Sequence, residues 1–401
     1  MDSCIEEGIL KEVLIRQKTE VMHMLLTEFD EKKYKRSVYQ DGYEDGVREG
    51  EISGFTKGEE HKMRELIRAK AAKGKSHSHH RRQTGNGCGD DKTISRFDIL
   101  RSLNYHNPRR KKTMIIDFHT HTFPEKISEK VMDKLGRLSG IEPGTNGAPS
   151  GLAASMKEAG IDYSVNLPVM TSVKQAGSVN EKMIQAKEEL EKEGILTFGG
   201  LHPDMENYRE ELKKLADAGI SGIKLHPAYQ AVDVDDIRME RIIDAASELG
   251  LIVLIHAGID IGIYDRNYAS VAQILNVIRD VQPEKFVLAH MGGWACWEDV
   301  ERDLAGAPVW LDTAFTIGPI TPHHEAAPGP YSRITMADED FLRLARKHGT
   351  DRILFATDSP WQEQPRYVKR FKELGLNDEV YEKIMSQNAL HLLGKKLQPR
   401  V

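Results

Sequence analysis

MIIDFHTH, residues 114–121, is predicted to be a β-strand that ends in two histidines. Side chains alternate along a strand, so His119 and His121 are expected to leave the same face at its C-terminal end. A metal requires this arrangement from two ligands that one rigid element carries. A His-x-His pair alone is weak evidence for a metal site, so other strands must supply further ligands.

Short apolar runs alternate with amphipathic helical stretches through the rest of the chain. We predict strands at Met114–His119, Asp162–Leu167, Leu196–Leu201, Gly222–His226, Leu251–His256, Phe286–His290, Val309–Thr313 and Ile353–Asp358. We predict helices near 178–193, 206–219, 236–249, 268–280, 297–305, 337–348 and 377–393. Eight strand–helix units predict an α/β fold, a (β/α)8 TIM-like barrel. The alternative is an open doubly wound sheet, which is disfavoured because no Gly-x-Gly-x-x-Gly follows the first strand.

Polar side chains recur where these strands end. The candidates are Asp117, His119, His121, His202, Lys224, His226, His256, His290 and Asp358. A single buried histidine is often a satisfied core residue. In a barrel, however, all the C-terminal strand ends meet at the face that carries the active site. The recurrence therefore predicts one polar site built from several strands.

Composition and charge limit the classes of protein that this chain can be. It has 401 residues, of which 39% are hydrophobic and 29% charged, as in globular proteins. Its three cysteines, Cys4, Cys88 and Cys296, match no disulfide or metal spacing, which indicates a reducing compartment. No apolar run approaches the ~20 residues of a membrane span, and the N-terminus lacks the basic start of a signal peptide. We expect a cytoplasmic protein without a membrane partner.

The N-terminal part differs from the rest in charge. Residues 1–113 carry 24 Lys and Arg against 19 Asp and Glu, whereas the remainder carries 32 against 43. We predict a charged helical extension at 1–72, with helices near 5–30 and 59–72, and a disordered basic linker at 73–113. The barrel then occupies 114–401. Its acidic balance gives no electrostatic reason to bind nucleic acid.

The extension also carries a resemblance. The segment RQKTEVMHMLLTEFDEKKY and the glycine repeat that follows it resemble the C-terminal tail of PD-(D/E)XK transposase-associated nucleases over roughly the first 75 residues. The carboxylates and lysine of that nuclease core are absent from this sequence, so no catalytic residue is carried over.

The barrel region resembles the amidohydrolase superfamily, specifically its amidohydrolase-2 branch. The matching motifs are DFHTH (117–121), GIKLHP (222–227), IHAG (255–258), LAHMGG (288–293) and FATDSPW (355–361). That branch includes hydrolases and decarboxylases of the aminocarboxymuconate-semialdehyde type. The motifs are specific for the superfamily and do not identify a substrate.

The resemblance implies a metal centre. His119, His121, His256 and Asp358 correspond to the ligands of one divalent ion, for which Zn2+ is suited and Mn2+ or Fe2+ tolerated. Asp358 would also move a proton. His290 corresponds to the histidine that hydrogen-bonds to the attacking water or polarises the substrate carbonyl.

Lys224 is open to three interpretations: a carboxylated bridge between two metals, a cation for a substrate carboxylate, or a structural lysine. Lys224 and His226 share a strand face and are expected to bind substrate, and Trp294 is expected to wall the pocket. For His202, which precedes a proline, a turn-stabilising role is expected. The loops Pro124–Ser150 and Phe315–Arg333 are candidate lid or specificity loops.

We therefore expect a metal-dependent hydrolase acting on a small amide, lactone or ester. The alternative enzyme is a non-oxidative decarboxylase with the same metal site, which an arginine clamp at the pocket would favour. An inactive barrel that serves as a binding module is the alternative outside catalysis. The resemblance also allows a homodimer, by analogy alone.

Overall fold

The computed structural model describes Glu65 and residues 113–400. Apart from Glu65, the predicted extension at 1–72 and nearly all of the predicted linker lie outside the described residues. Their boundaries therefore stay predictions.

The described region is a parallel α/β barrel, as predicted. Its strands are β1 Ile116–Thr120, β2 Tyr163–Asn166, β3 Ile195–Thr197, β4 Gly199–Gly200, β5 Gly222–Leu225, β6 Ile252–Ile255, β7 Phe286–Leu288, β8 Trp310–Asp312 and β9 Ile353–Leu354. Each of the eight predicted strands has an observed counterpart. The third is split at Phe198 into β3 and β4, which pair with β2 and β5 respectively.

Backbone hydrogen bonds between the first and last strands close the barrel. Phe118 N donates to Phe355 O over 2.9 Å, and Asp358 N donates to His119 O over 2.8 Å. All the strand pairs are parallel. Because the strands are parallel and the barrel is closed, the carboxyl ends of all strands meet at one face.

Helices surround the barrel. They are α1 Ser128–Ser139, α2 Pro149–Ala159, α3 Val173–Lys192, α4 Tyr208–Asp217, α5 Pro227–Gln230, α6 Ile237–Glu248, α7 Val271–Asp280, α8 Trp297–Asp299, α9 Asp338–His348, α10 Gln364–Glu373, α11 Asp378–Glu382 and α12 Asn388–Leu393. The π-helical turns Val300–Leu304 and Lys383–Gln387 extend α8 and join α11 to α12. None of the helices in the described region is long and apolar enough to cross a membrane.

The strands alternate between two apolar clusters, as a barrel requires. In β6, Ile252 and Leu254 belong to a cluster drawn mainly from the strands, which fills the barrel. Val253 and Ile255 belong to a cluster shared with the surrounding helices. Both faces of β6 are therefore buried, which explains its continuous apolar sequence.

The segment predicted as the loop Pro124–Ser150 is only partly a loop, and that prediction is wrong for its first half. Helix α1 buries Val131, Met132 and Leu135 along one face. It ends at Gly140, whose φ of 72° is the left-handed conformation that glycine adopts without strain. The apolar spacing and this glycine were the signals that sequence reasoning overlooked. Helices α2 and α10 were also missed.

The buried carboxylate of Asp162 joins the two ends of the region 113–400 at the opposite face of the barrel. Asp162 accepts a hydrogen bond from Ile115 N over 2.9 Å and one from Arg400 N over 2.6 Å. The segment that enters β1 and the segment that follows α12 are thus joined away from the carboxyl ends of the strands.

Candidate metal centre

One cavity at the carboxyl ends of the strands gathers the predicted site residues. Its lining includes His119, His121, Lys224, His226, His256, His290, Trp294 and Asp358. These eight residues come from five strand ends and the segment after β7. The structure gives their relative positions, while their chemical roles remain predictions.

Asp117 does not line this cavity, contrary to its placement among the strand-end site candidates. The register of β1 against β2 shifts between Asp117 and Thr120, as at a β-bulge. Asp117 is fully buried and accepts hydrogen bonds from Thr357 and from Gln364 in α10. Its carboxylate therefore joins β1 to its neighbours, and burial raises its pKa to about 6.

His119 and His121 turn their Nε2 atoms toward each other at 3.1 Å. Their outer nitrogens are committed to acceptors: Nδ1 of His119 lies 2.8 Å from Asp312 Oδ2, and Nδ1 of His121 lies 2.7 Å from Leu167 O. An acceptor requires the N–H at Nδ1. In a neutral ring, the facing Nε2 atoms then both carry lone pairs.

His256 and His290 repeat the pattern. Nδ1 of His290 donates to Ala314 O at 2.9 Å, and Nε2 of His256 lies 3.3 Å from Ile259 O. The two remaining nitrogens, Nε2 of His290 and Nδ1 of His256, are 3.1 Å apart. Here too, lone pairs face each other when both rings are neutral.

Burial keeps the imidazoles of His119, His256 and His290 neutral. It lowers the pKa of His119 and of His256 well below the usual value, and it lowers the pKa of His290 to about 4. Each of these rings therefore carries one N–H, which its outer acceptor already uses. The inward nitrogens are left without protons.

Asp358 completes the group. Its Oδ1 atom is buried and has no hydrogen-bond partner, although it lies 3.1 Å from His121 Nε2 and 3.5 Å from His119 Nε2. The three ligand atoms lie within 4.8 Å of one another. Electron-rich atoms that converge in a buried site suit a cation, so these residues fit the implied metal.

Two residues of this site adopt the left-handed backbone conformation. The φ angle is 59° at His290 and 68° at Asp358. Residues with a Cβ atom rarely adopt such angles, and the surrounding fold must hold them there.

Lys224 lies beside the histidines. It is 1% exposed, and its Nζ atom is 3.3 Å from His119 Nε2. Burial lowers its pKa, whereas the carboxylates of Asp312, Asp358 and Asp260 raise it. The lysine is thus placed to meet a substrate or a metal, and the three interpretations of its role stay open.

A second polar group lies on the same side of the cavity. The ring of His226 stacks on that of His256 with centroids 4.3 Å apart and on that of Tyr229 at 4.1 Å. Asp260 Oδ2 lies 3.7 Å from His226 Nε2 and 3.9 Å from His256 Nε2. His256 therefore belongs to both groups.

Apolar side chains form the walls. Leu135 and Leu138 of α1, Phe315 and Trp361 line the cavity. Trp294 is 2% exposed, and its buried Nε1 has no hydrogen-bond partner. The cavity thus combines polar side chains with apolar walls, which suits a small, partly apolar compound.

Other strand-end residues have different surroundings. His202 does not line the cavity, and its Nδ1 accepts the N–H of Asp204 at 3.3 Å. Sequence reasoning missed Asp312 and Asp260. The signal for Asp312 was its position at the end of a predicted strand, whereas Asp260 lies four residues beyond one.

Comparison with known families matches a model described as Amidohydrolase to residues 116–395. A comparison with curated protein sequences returned no match. The match begins at residue 116, so the nuclease-tail resemblance of the first residues stays a prediction.

Solved structures share the fold. The chain is 14% identical to 5-carboxyvanillate decarboxylase from Sphingomonas paucimobilis, with 71% of this chain and 100% of that chain covered and a TM-score of 0.51. It is 15% identical to a dihydroxybenzoic acid decarboxylase from Polaromonas sp. JS666 with bound manganese and the inhibitor 2-nitroresorcinol, with 71% and 97% covered and a TM-score of 0.51. A putative 2-pyrone-4,6-dicarboxylic acid hydrolase from Pseudomonas putida is 16% identical, with 72% and 100% covered and a TM-score of 0.48.

Proposed function

This chain belongs to the amidohydrolase family, and we propose that it is a metal-dependent hydrolase of a small amide, lactone or ester. The observation that carries the proposal is Asp358 Oδ1, which is buried without a hydrogen-bond partner 3.1 Å from His121 Nε2. A carboxylate oxygen and an imidazole lone pair repel each other unless a proton or a metal ion lies between them.

His119, His121, His256 and Asp358 are the proposed ligands of one divalent ion. Their nitrogen and oxygen donors suit Zn2+ and also accept Mn2+ or Fe2+. When bound, such an ion lowers the pKa of a water molecule toward ~7 and polarises a carbonyl. The manganese in the Polaromonas structure supports a divalent ion for the fold without selecting one for this chain.

His290 and Asp358 are the proposed proton-handling groups. Because the N–H of His290 is committed to Ala314 O, its Nε2 can accept a hydrogen bond from the attacking water. This favours the water-orienting role over polarisation of the carbonyl, which needs a donor. As the water oxygen bonds to the carbonyl carbon, Asp358 takes the water's proton and returns it to the oxygen or nitrogen that leaves.

Lys224, His226 and Trp294 are the proposed substrate-binding residues. A buried lysine can pair with a substrate carboxylate, and the unpartnered Nε1 of Trp294 can donate to a substrate oxygen. The apolar walls would pack against the body of the substrate. A small carbonyl compound that bears a carboxylate fits these features best.

Non-oxidative decarboxylation is the second candidate, which the buried cation of Lys224 favours. In that reaction the bond to the carboxyl carbon breaks, CO2 leaves, and a proton is delivered to the substrate carbon. None of the described residues that line the cavity is an arginine, so Lys224 would have to orient the carboxylate alone. The two reactions share the metal site and differ in product.

Metal content and product analysis test the proposal together. We expect about one equivalent of divalent metal per chain, lost in His119→Ala and retained in His202→Ala, whose histidine lies outside the cavity. The metal-loaded protein should release acid from lactones or esters, or amine from amides. Release of CO2 from aromatic carboxylic acids would favour the alternative. A wild-type protein that holds no metal after reconstitution would contradict both.

A further inference from the structure

We infer that Asp260 is a positioning residue for the proposed metal ligand His256. Its carboxylate, at ion-pair distance from Nε2, favours the tautomer that keeps Nδ1 free of a proton. The inference rests on the proposed function, because it takes His256 to be a ligand. Asp260 follows β6, lines the cavity and is 5% exposed.

The carboxylate of Asp260 is fixed by its own loop. Its Oδ1 atom accepts the N–H groups of Gly262 and Ile263, each over 2.8 Å. This anchoring leaves Oδ2 facing the two stacked rings, 3.9 Å from His256 Nε2 and 3.7 Å from His226 Nε2. An ionised carboxylate only accepts, so it favours a proton at both of those nitrogens.

The other contacts of His256 agree with that tautomer. Nε2 also lies 3.3 Å from Ile259 O, a second acceptor. Nδ1 faces His290 Nε2, whose ring already donates from Nδ1 to Ala314 O. A metal-binding histidine usually has its outer nitrogen held by a carboxylate or a carbonyl, and such partners tune metal affinity.

A rival interpretation makes His226, His256 and Asp260 the ligands of a second metal, since their ligand atoms also lie within 4.8 Å. The hydrogen bond by which His226 caps the start of α5 argues against this second metal site. Nδ1 of His226 accepts the N–H of Tyr229 at 3.4 Å, which requires a lone pair at Nδ1 and hence the proton at Nε2. A metal at Nε2 would move that proton to Nδ1 in a neutral ring. Nδ1 could then no longer accept the N–H of Tyr229.

Asp260→Asn tests the inference, with Asp162→Asn as the matched control. Both aspartates are buried and accept two backbone N–H groups, but Asp162 lies at the opposite face of the barrel. Asparagine can still accept from Gly262 and Ile263, while its amide N–H groups face the histidines. We expect the Zn2+ dissociation constant to rise about 10- to 100-fold in Asp260→Asn.

Two further readouts separate positioning from a general structural defect. The visible spectrum of the Co2+-substituted protein should shift in Asp260→Asn and stay unchanged in Asp162→Asn. In 15N-histidine spectra of the metal-free protein, His256 should be protonated at Nε2 in wild type and shift toward Nδ1 in the variant. If Asp260→Asn does not fold, Asp260→Ser keeps an acceptor for the loop and undergoes the same comparison.

Failure of the inference about Asp260 can be distinguished from failure of the proposed function. A folded variant with wild-type affinity and spectrum would overturn the inference and leave the proposed function intact. Two equivalents of metal in wild type that fall to one in the variant would also overturn it, by making Asp260 a ligand. A wild-type protein without metal would overturn the inference together with the proposed function.

Discussion

Three histidine–carboxylate groups in the described region meet the same distance criterion for a metal site, and two of them differ in burial and in hydrogen bonding. His119, His121 and Asp358 line the cavity, whereas Glu142, His323 and His324 form a group outside its lining, here called the surface group, in which His324 is exposed and His323 is buried. In each group the ligand atoms lie within 4.8 Å of one another. Distance alone therefore does not separate them.

The hydrogen bonds and the protonation of the histidine rings distinguish the two groups. The cavity histidines give their N–H groups to outer acceptors and point lone pairs inward. In the surface group, Nδ1 of His323 accepts backbone N–H groups, and Nδ1 of His324 lies 2.8 Å from Glu142 Oε2. That carboxylate raises the pKa of His324, so it favours a protonated ring that cannot bind a metal. The two groups therefore differ in the protonation of their rings, because burial lowers the pKa of His119 whereas Glu142 raises that of His324.

The largest difference between the cavity group and the surface group is expected when the carboxylate of Asp358 is replaced. Asp358→Asn would lose the proposed metal ligand and proton carrier, so we expect kcat/KM to fall by about 10³-fold or more. His324→Asn, the matched change in the surface group, should leave kcat/KM and metal content unchanged. Steady-state kinetics on the metal-loaded proteins check this. Equal losses in both variants would remove the contrast.

A smaller effect should follow from altering an outer acceptor. Asp312 accepts from His119 Nδ1 and from the backbone N–H groups of His290 and Ala314. Asp312→Asn should weaken metal binding about 10- to 100-fold, because His119 loses the carboxylate that fixes its tautomer. Titration with a competing chelator measures this. Glu142→Gln, which removes the negative charge beside His324, should not alter metal affinity.

The smallest effect is expected in the pH dependence of stability that the ion pair of Glu142 and His324 contributes. The pKa of His324 is raised above 6.5 by its hydrogen bond to Glu142, and the pKa of Glu142 is lowered below 4.5 by the same bond. The contribution of His324 is therefore complete below pH 6.5 and is lost as pH rises through its folded pKa. That of Glu142 is complete above pH 4.5 and is lost as pH falls through its folded pKa.

The stability difference between wild type and His324→Gln should thus be greatest between pH 4.5 and 6.5. It should shrink at higher and at lower pH. Thermal unfolding of the metal-free proteins at several pH values measures it. Both side chains lie near the solvent, so screening keeps the difference small, and 1 M salt should reduce it. A difference that grows at pH 9 would contradict the ion pair.

Sequence periodicity predicted the parts of the fold that depend on repeated burial. Continuous apolar runs such as that of β6 indicate strands buried on both faces, and polar residues at strand ends must then share one edge. That geometry is why the positions of His256 and Asp358 in the sequence sufficed to assign them to one site. Helix α1 was missed because its apolar stripe, which includes Val131, Met132 and Leu135, is short.

Other features depend on contacts that periodicity does not encode. The bulge in β1 adds a residue without changing the apolar pattern, so Asp117 was placed with the histidines although it faces elsewhere. Asp312 accepts hydrogen bonds from His119 and His290, which are distant in sequence, and Asp260 lies beyond the end of β6. The ligand roles of the histidines stay predictions.

The left-handed backbone at His290 and Asp358 has a consequence for how such a protein can be improved. Each of these residues costs about 1–2 kcal/mol relative to an unstrained conformation. Glycine would relieve that cost at both positions, and it would remove the two side chains proposed to handle protons. Selection for thermal stability alone would therefore favour the loss of these two side chains, whereas selection for both stability and activity must find its stabilising changes elsewhere in the scaffold.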